Sequence, residues 1–258
     1  MIMDDNNCES TCSVCYVMCG YVGPNRVTLD NMNIEDIIIE HVRRADEIHG
    51  ISQCVVVLPV SQHESKEFIS SLSNVESRGW DVIRRENFGY SYASLIEAYA
   101  KHPTHDWYIF QEDDYFPRDM DLVAKLLKHA NIDDNTIDYV GLVYDQRKSV
   151  KMHMSASGGI INNKTLLLMQ NYLSAFKEKD IAKNGAKSQL IFSENMLKNG
   201  IKLGDVLDYY PCVYREGFHK KNTTFIKYIS KITPKDAMPL FIPAQMSPKD
   251  KVVTKIFR

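Results

Sequence analysis

Three consecutive acidic residues, Glu112, Asp113 and Asp114, follow an apolar run at residues 107–111. The run has the composition of a buried strand, so the carboxylates are expected where a core strand ends. Partly desolvated and unpaired, they would repel one another, which favours a positive group among them. Mg²⁺ or Mn²⁺ held by one or two carboxylates meets this need and usually completes its shell with substrate phosphates. A solvated acidic turn is the alternative interpretation of this stretch alone.

Cysteines are a second class of possible metal ligands, and four of the six lie at positions 8, 12, 15 and 19. Only Cys12 and Cys15 have the Cys-x-x-Cys spacing, whereas a structural zinc site needs four converging ligands. Residues 13–22 read as a strand, which predicts that Cys15 and Cys19 are small core residues. Free thiols are typical of a reducing compartment.

Strand and helix patterns alternate through the first two-thirds of the chain, as in a parallel sheet covered by helices. Residues 53–60 form a continuous apolar run of the kind buried on both faces of a sheet. Ligands of open α/β sheets bind outside the carboxyl ends of the strands, which is where the acids fall. The sequence therefore predicts a single α/β domain with a Rossmann-like, mixed and mostly parallel central sheet flanked by helices.

Length and charge narrow the class of protein further. The 258 residues suit one large domain, and the net charge of −2 does not favour a nucleic-acid binder. Residues 215–258 carry ten Lys or Arg against three acids, so this segment can neutralise phosphates, touch a membrane surface peripherally, or simply be solvated. Without a signal-peptide pattern or a run of about 18 apolar residues, a soluble, cytoplasmic protein is expected.

Four features occur in a fixed order beyond the first third of the chain. The acids at 112–114 come first, then Ser157-Gly158-Gly159, then Ser193-Glu194-Asn195 at the start or first turn of a helix, then His219. This order and this chemistry resemble the glycosyltransferases of the GT-A fold, from about residue 13 to residue 219. Each motif is weakly specific, whereas the ordered set is more specific.

The resemblance implies a metal-dependent, inverting enzyme of the hexosyl- or pentosyltransferase kind. Its donor would be a nucleotide-sugar, with UDP first and GDP second, and its acceptor a hydroxyl of a glycan, glycoprotein or glycolipid. Asp114 would ligate Mn²⁺ or Mg²⁺, with Glu112 as a ligand or as the partner of the ribose, and His219 as the C-terminal ligand. The metal would stabilise the charge that develops on the leaving nucleoside diphosphate.

Glu194 resembles the family's general base, which removes a proton from the acceptor hydroxyl and should have a pKa raised by partial burial. A carboxylate that only stabilises a helix N-terminus is the alternative. Ser157, Gly158 and Gly159 resemble the acceptor loop, in which glycines let the backbone approach a substrate closely. A tight turn or bulge is the alternative for the glycines.

Further residues are expected to hold the nucleotide by the same resemblance. Tyr21 can stack on the base, and Arg84 and Arg85 can bind the ribose or phosphate, although only one arginine need do so. The complete set of nucleotide-binding candidates is Gly20, Tyr21, Arg84, Arg85, Asn87, Gly89, Glu112, Asp113, Lys220 and Lys221.

The expected catalytic domain covers residues 1–232, with a nucleotide-binding half at about 13–118 and an acceptor-binding half at about 119–220. Residues 233–258 form a basic, proline-containing extension. A sugar-phosphate nucleotidyltransferase is the nearest alternative, although the first strand lacks a glycine-rich loop followed by a basic residue. A non-catalytic nucleotide- or carbohydrate-binding module is the other, and an intact Glu194 argues against it.

Overall fold

A computed structural model describes residues 12–23, 33–113, 115–117, 120–132, 135–144, 153–177, 185–205 and 241–243. The strands are β1 (Val14–Cys19), β2 (Gln53–Pro59), β3 (Trp80–Arg85), β4 (Trp107–Glu112), β5 (Tyr115–Pro117), β6 (Asn131–Ile132), β7 (Asn135–Thr136), β8 (Tyr139–Tyr144), β9 (His153–Asn162), β10 (Leu203–Asp205) and β11 (Phe241–Pro243). The helices are α1 (Ile34–Ala45), α2 (Lys66–Ser77), α3 (Tyr90–Lys101), α4 (Leu122–Ala130), α5 (Asn163–Met169), a 3₁₀ segment (Gln170–Lys177) and α6 (Gly185–Lys198). Among the described residues, no helix is both long and apolar enough to cross a membrane.

Local side-chain chemistry sets where several helices begin. The side chains of Asn33, Ser65 and Asn162 each accept a hydrogen bond from the backbone N–H three residues ahead, which caps α1, α2 and α5. Helix α3 differs, because its cap is Gly89 in the left-handed conformation, without a side-chain hydrogen bond. This glycine cap lies within the segment that the sequence assigned to nucleotide binding.

Seven strands form the central sheet in the order β10-β8-β9-β4-β1-β2-β3. Strand β9 runs antiparallel to both of its neighbours, β4 and β8, while the other pairs are parallel. The predicted fold class, an α/β fold with a mixed and mostly parallel sheet, is therefore confirmed.

The direction of chain progression reverses beside β1. After β1 the chain adds β2 and β3 on one side, and α3 then returns it to the other side, where β4 pairs with β1. Such a reversal leaves a crevice outside the carboxyl ends of the two strands, which is where ligands of open α/β sheets bind. We call this end of the sheet, where β1, β2, β3 and β4 finish, the carboxyl edge.

Helices cover both faces of the sheet. Alternate residues of β1 face opposite cores, with Tyr16 and Met18 against the α1, α2 and α4 layer and Val17 against the α3, α5 and α6 layer. Cys15 and Cys19 also face this second layer and are buried free thiols. The prediction that they are small core residues is confirmed.

Strands β5, β6, β7 and β11 lie outside the central sheet. Strands β6 and β7 form a hairpin, and β5 pairs antiparallel with β11. Strand β11 falls inside the segment predicted to be a C-terminal extension. Its register places Pro243 opposite Tyr115, so β11 runs back towards the acidic turn after β4.

Candidate functional site

The carboxyl ends of β1 and β4 meet in register, with Cys19 opposite Glu112. The backbone N–H of Gly20 then donates to the carbonyl of Val57 in β2, at 3.1 Å. A Cβ atom on Gly20 would lie 2.8 Å from the Leu58 side chain, so a glycine lets the chain pass closely over β2. The predicted Gly20–Tyr21 segment therefore begins at the crevice between β1 and β4.

Asp113 is a buried residue whose polar groups are held by the protein itself. Its carboxylate Oδ2 accepts from the backbone N–H of Tyr21 at 2.8 Å, and its own N–H donates to the Cys19 carbonyl at 3.0 Å. Its carbonyl lies 3.2 Å from Nδ1 of His41. With only 2% of its surface exposed, Asp113 fixes the turn after β1 against the turn after β4.

A polar network lies beneath this turn. Tyr16, His41 and Gln111 are fully buried, and the Tyr16 hydroxyl lies 2.6 Å from Nε2 of His41 and also contacts Oε1 of Gln111. Burial lowers the pKa of His41 from 6.5 to about 4, although its hydrogen bond to the Asp113 carbonyl opposes that shift. The imidazole is therefore neutral at neutral pH.

Glu112 is only half-buried and faces a different partner. The Ser91 hydroxyl, in the first turn of α3, donates to Oε1 of Glu112 at 2.7 Å. The Cys19 thiol lies 3.6 Å from the Ser91 carbonyl, so α3 begins directly beside the crevice. Glu112 is thus a carboxylate at this edge that remains partly open to solvent.

The turn between β3 and α3 is held from inside by Arg85. Its guanidinium donates to the carbonyls of Glu86 at 2.6 Å, Phe88 at 2.7 Å and Tyr90 at 2.9 Å, and its Nε donates to the Ser94 hydroxyl at 3.0 Å. Arg85 is buried and also lies over the Phe88 ring. In this structure it is directed into the protein, where it shapes the segment that carries Asn87 and Gly89.

That turn contains two consecutive residues at positive φ, Gly89 at 64° and Tyr90 at 55°. A Cβ atom on Gly89 would lie 2.7 Å from Cβ of both Ala93 and Phe176, so a glycine is required there. Tyr90 pays a conformational cost of about 1 kcal/mol or more, and such strain clusters at functional sites. Asn87 is exposed beside it.

Arg84 points away from this turn. Its Nη2 forms an ion pair with Glu64 at 2.6 Å, with 31% of the arginine side chain exposed. Arg84 and Arg85 thus both bond to other groups of the protein, but the two sets of bonds differ. Arg85 is a multiply bonded internal residue, whereas Arg84 is partly exposed and pairs with Glu64, whose side chain is only 4% exposed.

Gly158 and Gly159 lie within β9, next to the end of β4. Gly158 pairs with Gln111, and Gly159 pairs with Phe110 on one side and Gly141 on the other. A Cβ atom on Gly159 would lie 2.5 Å from the Val140 carbonyl oxygen, which packing of β8 against β9 does not allow. The packing of β8 against β9 therefore explains why position 159 is a glycine. Gly158 lies one residue nearer to the carboxyl edge. Ser157 precedes them in the same strand.

The position predicted for Glu194 was wrong. Helix α6 begins at Gly185, so Glu194 is the tenth of its 14 residues rather than a residue of the first turn. The helix dipole acts mainly within the terminal turns, which removes the helix-capping alternative for this carboxylate.

Helix α6 docks on the start of β9. The Ser193 hydroxyl accepts from the Met154 N–H at 2.9 Å, and the Phe192 ring stacks on Tyr92 of α3 at 4.0 Å. Because β9 is antiparallel to β4, its start lies on the side of the carboxyl edge. The half-buried Glu194 therefore belongs to the same end of the molecule as Glu112.

Most of the predicted site residues lie at the carboxyl edge, together with residues that were not predicted from the sequence. Those placed around it are Gly20, Tyr21, Arg85, Asn87, Gly89, Glu112, Asp113, Gly158 and Gly159. The predicted residues Asp114, His219, Lys220 and Lys221, and the side chain of Ser157, lie outside the described part of the chain. Sequence reasoning missed Tyr16, His41, Ser91 and Gln111, because their types and spacing are ordinary for core and helix-start positions. Within the described ranges, which omit residue 114, no three His, Cys, Asp or Glu side chains converge on one point.

Structural comparison finds this fold in enzymes of two classes. The glycosyltransferase GlyE of Streptococcus pneumoniae aligns with a TM-score of 0.51 at 17% identity, over 92% of this chain and 56% of GlyE. The mannosyltransferase PcManGT of Pyrobaculum calidifontis, in complex with GDP-Man and Mn²⁺, gives 0.50 at 13% identity, over 74% and 54%. The 4-diphosphocytidyl-2C-methyl-D-erythritol synthase of Anaerococcus prevotii gives 0.50 at 10% identity, over 76% and 87%.

At such low identities the likeness establishes the fold and not the reaction. The chain spans about half the length of the two glycosyltransferases. No family model matches the sequence, and no curated protein matches it. The resemblance stated from the sequence is thus supported as a GT-A-like fold, which glycosyltransferases and nucleotidyltransferases share.

Replacing Arg85 by Lys tests the internal role of this residue, and Arg84→Lys is the matched control. A lysine cannot reproduce the forked hydrogen bonds, so Arg85→Lys should lower the free energy of unfolding by about 2–3 kcal/mol. Arg84→Lys keeps a positive charge beside Glu64 and should cost less than Arg85→Lys does. Urea unfolding followed by circular dichroism measures both. Equal losses would contradict the structural distinction.

The neutral His41 predicts a pH dependence of stability. Between pH 6.5 and 4 the unfolded state binds a proton that the folded state does not, so stability falls as the pH falls through this window. From pH 7 to pH 5 the loss attributable to His41 should be about 2 kcal/mol. Urea titrations at both pH values should show this loss in the wild type and a smaller one in His41→Asn. A loss of the same size in the variant would assign the effect to other groups.

Proposed function

We propose that this chain is a metal-dependent glycosyltransferase that binds a nucleoside diphosphate sugar at the carboxyl edge. The observation that carries the proposal is the meeting of β1 and β4 at the reversal of strand order, with half-buried Glu112 at its mouth. Ligands of open α/β sheets bind at such a point. The GT-A-like fold of GlyE and PcManGT supports the proposal.

The nucleotide would lie over the turns that follow β1 and β3. Asp113 holds the backbone of Tyr21, which leaves the half-buried Tyr21 ring at the crevice to stack on a base. Exposed Asn87 and the glycine turn at Gly89 lie on the facing turn, which Arg85 holds in shape. Arg84, Lys220 and Lys221 would contribute positive charge towards the diphosphate. UDP is the first candidate and GDP the second.

Glu112 fits a cation site, since its carboxylate is partly exposed and accepts a hydrogen bond from a neutral donor, the Ser91 hydroxyl. Asp113 does not fit, because its buried carboxylate accepts from Tyr21. A Mg²⁺ or Mn²⁺ ion bound through one or two carboxylates and the diphosphate would need only Glu112 and Asp114, with His219 as a further ligand. When bound, the ion would neutralise charge on the leaving diphosphate.

The acceptor would approach from the β9 and α6 side. Gly158 pairs with Gln111 near the end of β4, Ser157 precedes it in β9, and Ser193 fixes α6 to the start of β9. Glu194 would accept the proton of the acceptor hydroxyl as it attacks the sugar carbon, and the sugar–phosphate bond would break with inversion. We propose that the domain has a nucleotide-binding half at about 13–118 and an acceptor-binding half at about 119–220. A cytoplasmic enzyme is proposed, with its basic C-terminal segment able to touch an anionic membrane surface.

A sugar-phosphate nucleotidyltransferase is the second candidate. The erythritol synthase aligns over most of its own length at a TM-score of 0.50, so the fold favours neither class. The two reactions release different products, since a nucleotidyltransferase uses a nucleoside triphosphate and releases pyrophosphate, whereas a glycosyltransferase releases a nucleoside diphosphate. The non-catalytic binding module would release neither.

Calorimetric titration with UDP and GDP, with and without Mn²⁺, tests the binding site. We expect at least one nucleotide to bind only with metal present, and Asp114→Ala to weaken that binding by tenfold or more, about the effect of losing one charged ligand. Asp121→Ala, an acid on the surface near the start of α4, is the control and should bind as the wild type does. If neither nucleotide binds in the presence of Mn²⁺, the glycosyltransferase proposal fails.

The variant Glu194→Gln separates an enzyme from a binding module. Removing a general base should lower turnover by about a hundredfold or more while leaving the donor Kd unchanged. Release of nucleoside diphosphate from a panel of nucleotide-sugars, followed by chromatography, measures the reaction. Pyrophosphate release from nucleoside triphosphates would instead favour the nucleotidyltransferase. Unchanged turnover in the variant would remove Glu194 from the mechanism.

A further inference from the structure

We propose that His41, through a buried hydrogen-bond network with Tyr16 and Gln111, is a positioning residue for the acidic turn that follows β4. The inference rests on the proposed function, because it assigns the turn a ligand-binding role. His41 touches no substrate. It holds the main chain at Asp113, which lies in the sequence between the two proposed cation ligands, Glu112 and Asp114.

The contact between His41 and Asp113 lies just beyond the end of the pairing between β1 and β4. The ladder between β1 and β4 ends with the pair Cys19 and Glu112. One residue later, the Asp113 carbonyl lies 3.2 Å from Nδ1 of His41. Because a peptide group is planar, fixing that carbonyl also fixes the plane through which the chain continues to residue 114.

The chemistry of these groups determines which of them donates each hydrogen bond in the network. A carbonyl oxygen only accepts, so Nδ1 of His41 must carry the proton and donate to Asp113. In a neutral imidazole Nε2 is then an acceptor, and the Tyr16 hydroxyl, 2.6 Å away, must donate to it. The same hydroxyl contacts Oε1 of Gln111, a second acceptor, so its one proton lies between Nε2 and Oε1. Each member thereby fixes the orientation of the next.

The network joins three elements of the fold. His41 is in α1, Tyr16 is in the centre of β1, and Gln111 precedes the acids at the end of β4. All three side chains are fully buried, so their hydrogen bonds are strong and costly to leave unmade. Helix α1, which is outside the crevice, therefore sets the position of the turn at the crevice. Asp113 adds a second tie through Tyr21, so the turns after β1 and β4 move together.

The test compares variants that keep or remove the Nδ1 donor. In His41→Asn the amide nitrogen can replace Nδ1 and donate to Asp113, whereas His41→Phe fills the space without a donor. Val42→Ala, at the neighbouring and equally buried position of α1, is the control for lost stability alone. Tyr16→Phe removes a single oxygen from the network and serves if His41→Phe does not fold. The full chain is used throughout, and circular dichroism confirms that each variant is folded.

The readout is the Kd for Mn²⁺, from the electron paramagnetic resonance signal of the free ion, and the Kd for UDP and GDP in its presence. We expect about tenfold weaker binding in His41→Phe or Tyr16→Phe, a change of threefold or less in His41→Asn, and wild-type binding in Val42→Ala. If the wild type binds while folded His41→Phe and Tyr16→Phe bind equally well, this inference fails and the proposed function stands. If the wild type binds neither Mn²⁺ nor a nucleotide, both fail.

Discussion

Strands β1 and β4 pair in parallel from Val14 and Trp107 to Cys19 and Glu112, and the candidate site follows from where that pairing stops. Beyond the last pair, the two segments leave the sheet, and their backbone polar groups still need hydrogen-bond partners. Asp113 supplies several of these partners by bonding to both the Cys19 carbonyl and the Tyr21 N–H. The crevice is therefore a closed hydrogen-bonded end of the sheet rather than a frayed one, and this allows it to keep a fixed shape.

Two adjacent acids at this end have different environments because side chains alternate across a strand. Glu112 points towards α3 and meets Ser91, and it stays partly exposed. Asp113 points towards the β1 turn, where it is buried and bonded to the backbone. The Glu112 carboxylate is thus partly accessible, whereas the Asp113 carboxylate holds the turn after β1 in place. Three consecutive acids in the sequence do not show that Glu112 and Asp113 differ in burial and in hydrogen bonding.

The sequence predicted the layers well because apolar runs and helical spacing are local signals. It also placed the acids at the carboxyl edge, since a strand end and three carboxylates occur together at residues 107–114. It failed where the determining contact is distant in sequence. Helix α6 begins at Gly185, and glycine is a poor helix former, so the first turn was missed and Glu194 was placed in the wrong turn. Nothing local distinguishes Arg85, which bonds to its own turn, from Arg84, which pairs with Glu64. His41 has the spacing of an ordinary core residue, and only the tertiary structure shows its contact with Asp113.

The strand order has a consequence for solubility. In the described part of the chain, β3 and β10 are the outermost strands, and an open strand edge can pair with a second molecule and start aggregation. Strand β10 is three residues long, which offers little to pair with. Strand β3 is longer but carries charge, with Asp81 bound to Lys101 and His102 at 2.8 and 2.7 Å. A neighbouring strand would have to displace or desolvate these ions. The long apolar strands β1 and β4 that build the crevice lie inside the sheet, between these two edge strands.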